Sequence, residues 1–250
     1  MCFNQLKRLF YTTRNFTEID LSEENKHTMS LPTQENDLVF ESYGVIIANG
    51  AACSEQLLNT RLSKATMVVV LDAAIERVVA LGIKPTVLIG DFDREFNFSI
   101  YKENDPEIEI IHIVNQDKTD LEKAFDFLIE RKIRNVEVLW ATGRRSDHHF
   151  ANIACLVKYR NSLNITLLDD YSKIYLLDKK YENWFAANTI ISLIPLGKVT
   201  GIVTENLYYP LENEDLDTGY RMGNSNHVLN DGLVTIEHKT GDLILMECKD

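Results

Sequence analysis

Residues 44–93 read GVIIANGAACSEQLLNTRLSKATMVVVLDAAIERVVALGIKPTVLIGDFD, and the spacing of their apolar runs decides the fold. Gly44-Val45-Ile46-Ile47-Ala48, Met67-Val68-Val69-Val70-Leu71 and Thr86-Val87-Leu88-Ile89 are short, continuous and rich in β-branched residues. Such runs suit strands buried on both faces. Each ends in polar or turn-forming residues: Asn49-Gly50, Asp72, and Gly90-Asp91-Phe92-Asp93. Between them lie helical patterns. Ser54 is placed to cap a helix running to about Leu62. Residues 74–81 set Ile75, Val78, Val79 and Leu81 at helical spacing before Gly82 closes the turn.

The same alternation continues outward. Strands are expected at 108–114, 136–140 and 165–169, with helices at 119–131 and 147–160. Strand–helix alternation predicts an α/β fold built on a parallel sheet covered on both faces, with right-handed crossovers. The pattern changes after about Asp170. Residues 173–178, 190–194, 199–205, 232–238 and 243–248 read as short β segments. Turns are expected at Pro195-Leu196-Gly197, Asn230-Asp231-Gly232 and Thr240-Gly241-Asp242. The division is therefore a polar extension over 1–40, a parallel-sheet α/β N-terminal domain over 41–172, and a small all-β C-terminal domain over 173–250.

Composition narrows the function. The 250 residues carry 26 Lys and Arg against 38 Asp and Glu, a formal net charge of −12. That balance opposes nucleic-acid binding as the main role, because phosphate backbones demand basic surface. The four cysteines (Cys2, Cys53, Cys155, Cys248) form no CxxC pair. Neither a zinc finger nor a disulfide framework is expected. No apolar run approaches the roughly 20 residues that span a bilayer, and the first ten residues lack the apolar core of a secretory signal. The expectation is a cytoplasmic protein with reduced thiols and no membrane partner.

In an open parallel sheet, ligands gather at the carboxyl ends of the strands. Asp91-Phe92-Asp93 ends the third strand, and residues two apart on an extended segment face one side. Two adjacent anions suit a hard divalent cation such as Mg2+, but they also read as solvated loop residues or a helix cap. Asp117 and Asp120 bracket the start of helix 119–131, where capping is the plainer role. Asp120 is the better site candidate, since its turn abuts Asp91 and Asp93. Gly143-Arg144-Arg145-Ser146-Asp147-His148 precedes helix 147–160 and can form a phosphate clamp from guanidinium and main-chain N–H groups; a capped helix start with solvated arginines is the alternative. Gly223-Asn224-Ser225-Asn226 reads as a Gly/Asn turn or as the polar edge of an organic-ligand pocket.

Taken in order, Gly90-Asp91-Phe92-Asp93, Gln116-Asp117-Lys118-Thr119-Asp120, Gly143-Arg144-Arg145-Ser146-Asp147-His148 and Ser225-Asn226 resemble the thiamine pyrophosphokinase family. The resemblance spans roughly residues 44–248. It implies an α/β catalytic domain followed by a thiamine-binding β-sandwich, and transfer of a diphosphoryl group from ATP to thiamine with release of AMP. Asp91, Asp93 and Asp120 would hold Mg2+ and serve catalysis. Asp72, Gln116, Thr119, Arg144, Asp147 and His148 would bind ATP. Gln116, Ser225 and Asn226 would bind thiamine, the last two across a homodimer with shared active sites.

The chain departs from the family at several places. Asp72-Ala73-Ala74-Ile75 stands where the family has Asp-Gly-Gly-Ala, Thr142-Gly143 where two glycines are usual, and Arg94 where Ser is usual. His227-Val228 replaces a Glu and an aromatic residue. The residues after Asn226 keep open a second reading, a Mg2+-dependent diphosphokinase for another hydroxymethyl heterocycle such as a pterin. The missing glycines keep open a third, a non-catalytic homologue that binds thiamine or nucleotide.

Overall fold

The computed structural model describes residues 42–92 and 99–249. Its first half is built on strands β1 (Tyr43–Ile47), β2 (Met67–Leu71), β3 (Val87–Gly90), β4 (Glu109–His112), β5 (Asn135–Leu139) and β6 (Asn164–Leu168). They form a parallel sheet in the order β4-β3-β2-β1-β5-β6. The chain steps from β1 through β2 and β3 to β4 in one direction, then returns to the other side of β1 with β5. The carboxyl ends of β1 and β5 therefore border a topological switch point, the place where such sheets bind ligands.

Helices α1 (Glu55–Leu62), α2 (Ala74–Ala80), α3 (Ser99–Asn104), α4 (Asp120–Glu130) and α5 (Ser146–Tyr159) accompany the strands. Alternation along the strands separates two apolar layers. Ile46, Val69, Ile89 and Val138 face Leu121, Phe125 and Leu128 of α4 and Leu156 of α5. Val45, Ile47, Val70 and Leu88 face Leu58 of α1 and Ile75 and Val78 of α2. The start of α4 is fixed by a reciprocal cap: Thr119 Oγ1 accepts from the Glu122 N–H, and the Glu122 carboxylate accepts from the Thr119 N–H at 2.9 Å. Ser54 caps α1 as its position predicts. Ser146 and Asp147 both lie inside α5, and its N-cap, Arg145, makes no side-chain cap; the expected Ser or Asp cap does not form there.

Antiparallel pairing begins at β7 (Ser172–Leu176) and continues through β8 (Lys180–Phe185), β9 (Ile190–Glu205), β10 (Glu212–Asp217), β11 (Gly223–His227), β12 (Gly232–Glu237) and β13 (Thr240–Cys248). β7 pairs with β6, so the sheet passes from parallel to antiparallel without a break, and the described residues all fall in one compact unit. Ile174, Ile194 and Ile244 extend the α4–α5 layer. On the opposite face Ile191, Leu193, Leu243 and Leu245 meet Phe185, Val199, Ile202, Val234 and Ile236 of a second sheet, giving the sandwich layering.

The turn expected at Pro195-Leu196-Gly197 is instead the middle of one 16-residue strand. Pro195 sits opposite Leu243 of β13, and its carbonyl accepts from Thr218 Oγ1 on the other side. Its missing N–H lies on that same outer side, so no bond of the β9–β13 ladder is lost. Gly197 (φ +78°) then bends β9 from one sheet into the other. Residues 212–217, outside the expected β segments, and 223–227, which include the expected Gly/Asn turn or pocket edge at 223–226, are edge strands β10 and β11. Their side chains are mostly polar because few of them face a core.

Candidate active site

At the switch point the ends of β1, β2, β3 and β5 and the starts of α4 and α5 surround a cavity of about 520 Å³. The close approach of the first and fifth strand ends requires a glycine. A Cβ on Gly50 would stand 2.3 Å from the Trp140 carbonyl oxygen and 2.4 Å from that of Thr142. Asp72, Asp91, Gln116, Thr119, Asp120, Arg144 and His148 all line this space. These residues span 77 positions of sequence, and the parallel sheet collects them by ending its strands on one rim.

Asp72, Asp91 and Asp120 each offer a carboxylate oxygen within 4.8 Å of the other two. Three strand or helix ends deliver them, so their convergence is a property of the topology. Gln116 Nε2 donates to Asp91 Oδ2 at 3.2 Å. His112 Nε2 lies 2.8 Å from the Asp91 carbonyl oxygen, so this histidine is satisfied at the sheet edge. Burial pushes the Asp120 carboxyl above its ordinary value, and the Asp91 and Asp72 charges add to the rise; Lys123 opposes it. A hard divalent ion fits this donor set, because it prefers carboxylate oxygens and offsets their mutual repulsion.

Opposite the acids the cavity is lined by Arg144, and Arg77, which does not itself line it, is held nearby against Gly50 and Trp140. Arg144 donates to the Asn49 carbonyl and side-chain oxygens, both at 3.2 Å. Arg77 donates to the Gly50 carbonyl at 2.8 Å and lies over the Trp140 ring, 4.3 Å from its centroid. Burial, and then the charge of Arg144, lower the Arg77 pKa. The cavity thus has an acidic wall and a basic wall, the arrangement a metal-bound polyphosphate requires.

Other expected residues lie elsewhere. Asp147 does not itself line the cavity; it is paired with Arg145, which does (Nη2–Oδ2 2.5 Å), and this partner pulls its carboxyl down to about 2. Ser225 and Asn226 are on β11, in the antiparallel half, and no described residue beyond Asn152 lines the cavity. The Asn226 amide is engaged with Tyr209, accepting from its N–H at 3.0 Å and donating to its carbonyl at 2.7 Å. Asp93 lies outside the described residues. Asp72, expected on the rim as an ATP-binding residue directly after β2, joins the carboxylate group itself. One feature escaped the sequence reading. Lys123 is 3% exposed beneath the cavity, and its position three residues after Asp120 on the apolar face of α4 was the available signal.

The fold and this cleft define a two-part α/β-plus-β-sandwich protein whose polar groups converge at the switch point of its parallel sheet. Residues 58–167 match the family model described as the thiamin pyrophosphokinase catalytic domain, and residues 177–243 that of its vitamin B1 binding domain. The chain belongs to the thiamin pyrophosphokinase family, and is an enzyme of the diphosphotransferase class. It is 28% identical over 183 residues to thiamine pyrophosphokinase of Bacillus subtilis, covering 68% of this chain and 81% of that one. It is 27% identical over 157 residues to thiamin pyrophosphokinase 1 of Caenorhabditis elegans, covering 58% and 63% of the two chains. Its fold is that of the thiamin pyrophosphokinase from Candida albicans, with a TM-score of 0.74 at 15% identity over 84% of this chain and 91% of that one.

Proposed function

We propose that the protein transfers the terminal diphosphoryl group of ATP to the hydroxyl of thiamine, giving thiamine diphosphate and AMP. The single observation that carries the reading is the convergence of Asp72, Asp91 and Asp120 within 4.8 Å, facing Arg144 across one cavity. Asp72, Asp91 and Asp120, together with Asp93, would hold Mg2+. When bound, Mg2+ neutralises charge on the triphosphate and polarises the β-phosphorus. Arg144 and main-chain N–H groups at the start of α5, where the His148 N–H is already held by Asp147 Oδ1, would stabilise the anionic oxygens of the phosphates. Gln116, Thr119 and His148 orient the nucleotide and the attacking hydroxyl, so that attack and departure of AMP lie in line. Asp147 does not line the cavity and would act through Arg145, which does.

The heterocycle needs a surface that the cavity lining lacks. Exposed Tyr208 and half-buried His227 form a stack with centroids 4.5 Å apart, and Asn226 anchors the adjacent Tyr209 main chain. In our reading Ser225 and Asn226 hold this ledge in shape, and the cationic heterocycle lies against its rings. Because the ledge belongs to the antiparallel half and the cleft to the parallel half, a homodimer would let each ledge complete its partner's cleft. The dispersed cysteines, described as free at Cys53, Cys155 and Cys248, support a reducing cytoplasmic setting.

The test is direct. Full-length protein with ATP, Mg2+ and thiamine should yield AMP and thiamine diphosphate in equal amounts, and chelator should stop the reaction. AMP release with a hydroxymethyl pterin but not with thiamine would transfer the same chemistry to that acceptor.

A further inference from the structure

Lys123 is the one charged side chain among the described residues that is buried, and its surroundings are the carboxylates of the cleft. Its ammonium lies 2.9 Å from Asp120 Oδ1 and 3.8 Å from Asp91 Oδ2, with the side chain 2% exposed. Neighbouring residues of α4, including Leu121, Ala124 and Phe125, are core, so the stem of Lys123 is held by packing and the nitrogen has little room to withdraw. A buried cation is costly unless paired. Here the pairing is with two of the three converging acids, which lie on separate elements, β3 and α4.

We propose that Lys123 is a positioning residue that serves as a permanent counter-cation of the cleft. It holds Asp91 and Asp120 aimed at one point when no divalent ion is bound, and it trims the charge of the site. Among the described residues, Asp72, Asp91 and Asp120 with Lys123 carry a formal charge of −2, one unit less negative than the acids alone. Without Lys123 the same acids would carry −3, repel one another in the empty site and over-bind the ion. The inference deepens the reading of this cleft as a cation site and rests on it.

The experiment uses Mn2+ alone as probe, with no nucleotide, on full-length wild type, Lys123→Met and Lys123→Arg. By Coulomb attraction across a few ångströms with water-like screening, Lys123→Met should bind Mn2+ about ten-fold more tightly than wild type. In chelator it should melt about 5 °C lower, and saturating Mn2+ should recover most of that loss. Lys123→Arg keeps the charge and should stay within about two-fold of wild type in affinity. If Lys123→Met is too unstable to purify, the double variant Lys123→Met/Asp120→Asn removes both partners and should fold; its failure to fold would count against the pairing. Equal loss of stability with and without Mn2+, at unchanged affinity, would reduce Lys123 to core packing and overturn the proposal while leaving the cation site intact. Absence of any Mn2+ binding to wild type would overturn both.

Discussion

Asp72, Phe92, Trp140 and Arg144 adopt positive φ angles of 42°, 48°, 55° and 55°, and all four lie in the segments that follow β2, β3 and β5. Such conformations are unfavourable for residues with a Cβ, and they persist where the surrounding structure fixes them. At Asp72 and Arg144 the turn aims a charged group into the cavity. The carboxylates they complement are the most consequential side chains of the molecule. Asp91→Asn keeps the shape and removes one charge, so turnover should fall by at least about a hundred-fold. Its unfolding free energy should change by no more than about 1 kcal/mol. A steady-state AMP assay and urea unfolding of the same preparation check both halves, and near-normal turnover would take Asp91 out of the mechanism.

At the scale of elements, two junctions hold the cleft open in the right shape. The start of α4 depends on the Thr119–Glu122 cap. Thr119→Ala should cost about 1 kcal/mol by urea unfolding, and by loosening the helix start it should also weaken nucleotide binding. The second junction is Gly50, where the end of β1 passes the end of β5. Gly50→Ala places a methyl group against two carbonyl oxygens and should destabilise by about 1–3 kcal/mol, the usual range for overpacking. An alanine tolerated there without loss of stability would mean that the two strand ends are not locked together.

These junctions also mark what was legible. The parallel strands were plain in the sequence because a strand buried on both faces has no polar face to interrupt its run. Helix α4 was plain because Leu121, Phe125 and Leu128 repeat with the helical period. Strands β8, β10 and β11 were hidden for the opposite reason. Residues such as Glu182, Glu212 and Asn224 face solvent, and a polar edge strand has the composition of a loop. Proline and glycine at 195 and 197 misled, since both are also the means by which a long strand changes sheets.

At the scale of the whole molecule, two expectations concern how the halves work together. In the antiparallel half, His238 is 5% exposed, and burial, with the Lys179 charge next, lowers its pKa from the ordinary 6.5. The unfolded chain then takes up the proton first, so stability is full above about pH 6.5 and declines as pH falls through that value towards the folded pKa. Urea unfolding between pH 7.5 and 5 should show this decline, and His238→Gln should make it shallower; an unchanged slope would exclude His238 as its source. The proposed homodimer with shared sites makes a second prediction. Asp91→Asn and Tyr208→Ala proteins, each inactive alone, should regain about a quarter of wild-type activity when subunits are exchanged, because half the dimers carry one intact site. No recovery despite exchange would confine each site to a single chain.

The sequence by itself determined the alternation of strands and helices, the acidic character of the rim, and which residues could stand there, since periodicity and turn chemistry are local properties that neighbours in the chain impose on one another. The tertiary structure decided which of those acids meet. It set Asp72 beside Asp91 and Asp120, put Lys123 beneath them and left Asp147 off the cavity, paired with Arg145. The strand order fixes these distances, and strand order arises from pairing between segments far apart in the chain, where no local pattern carries information.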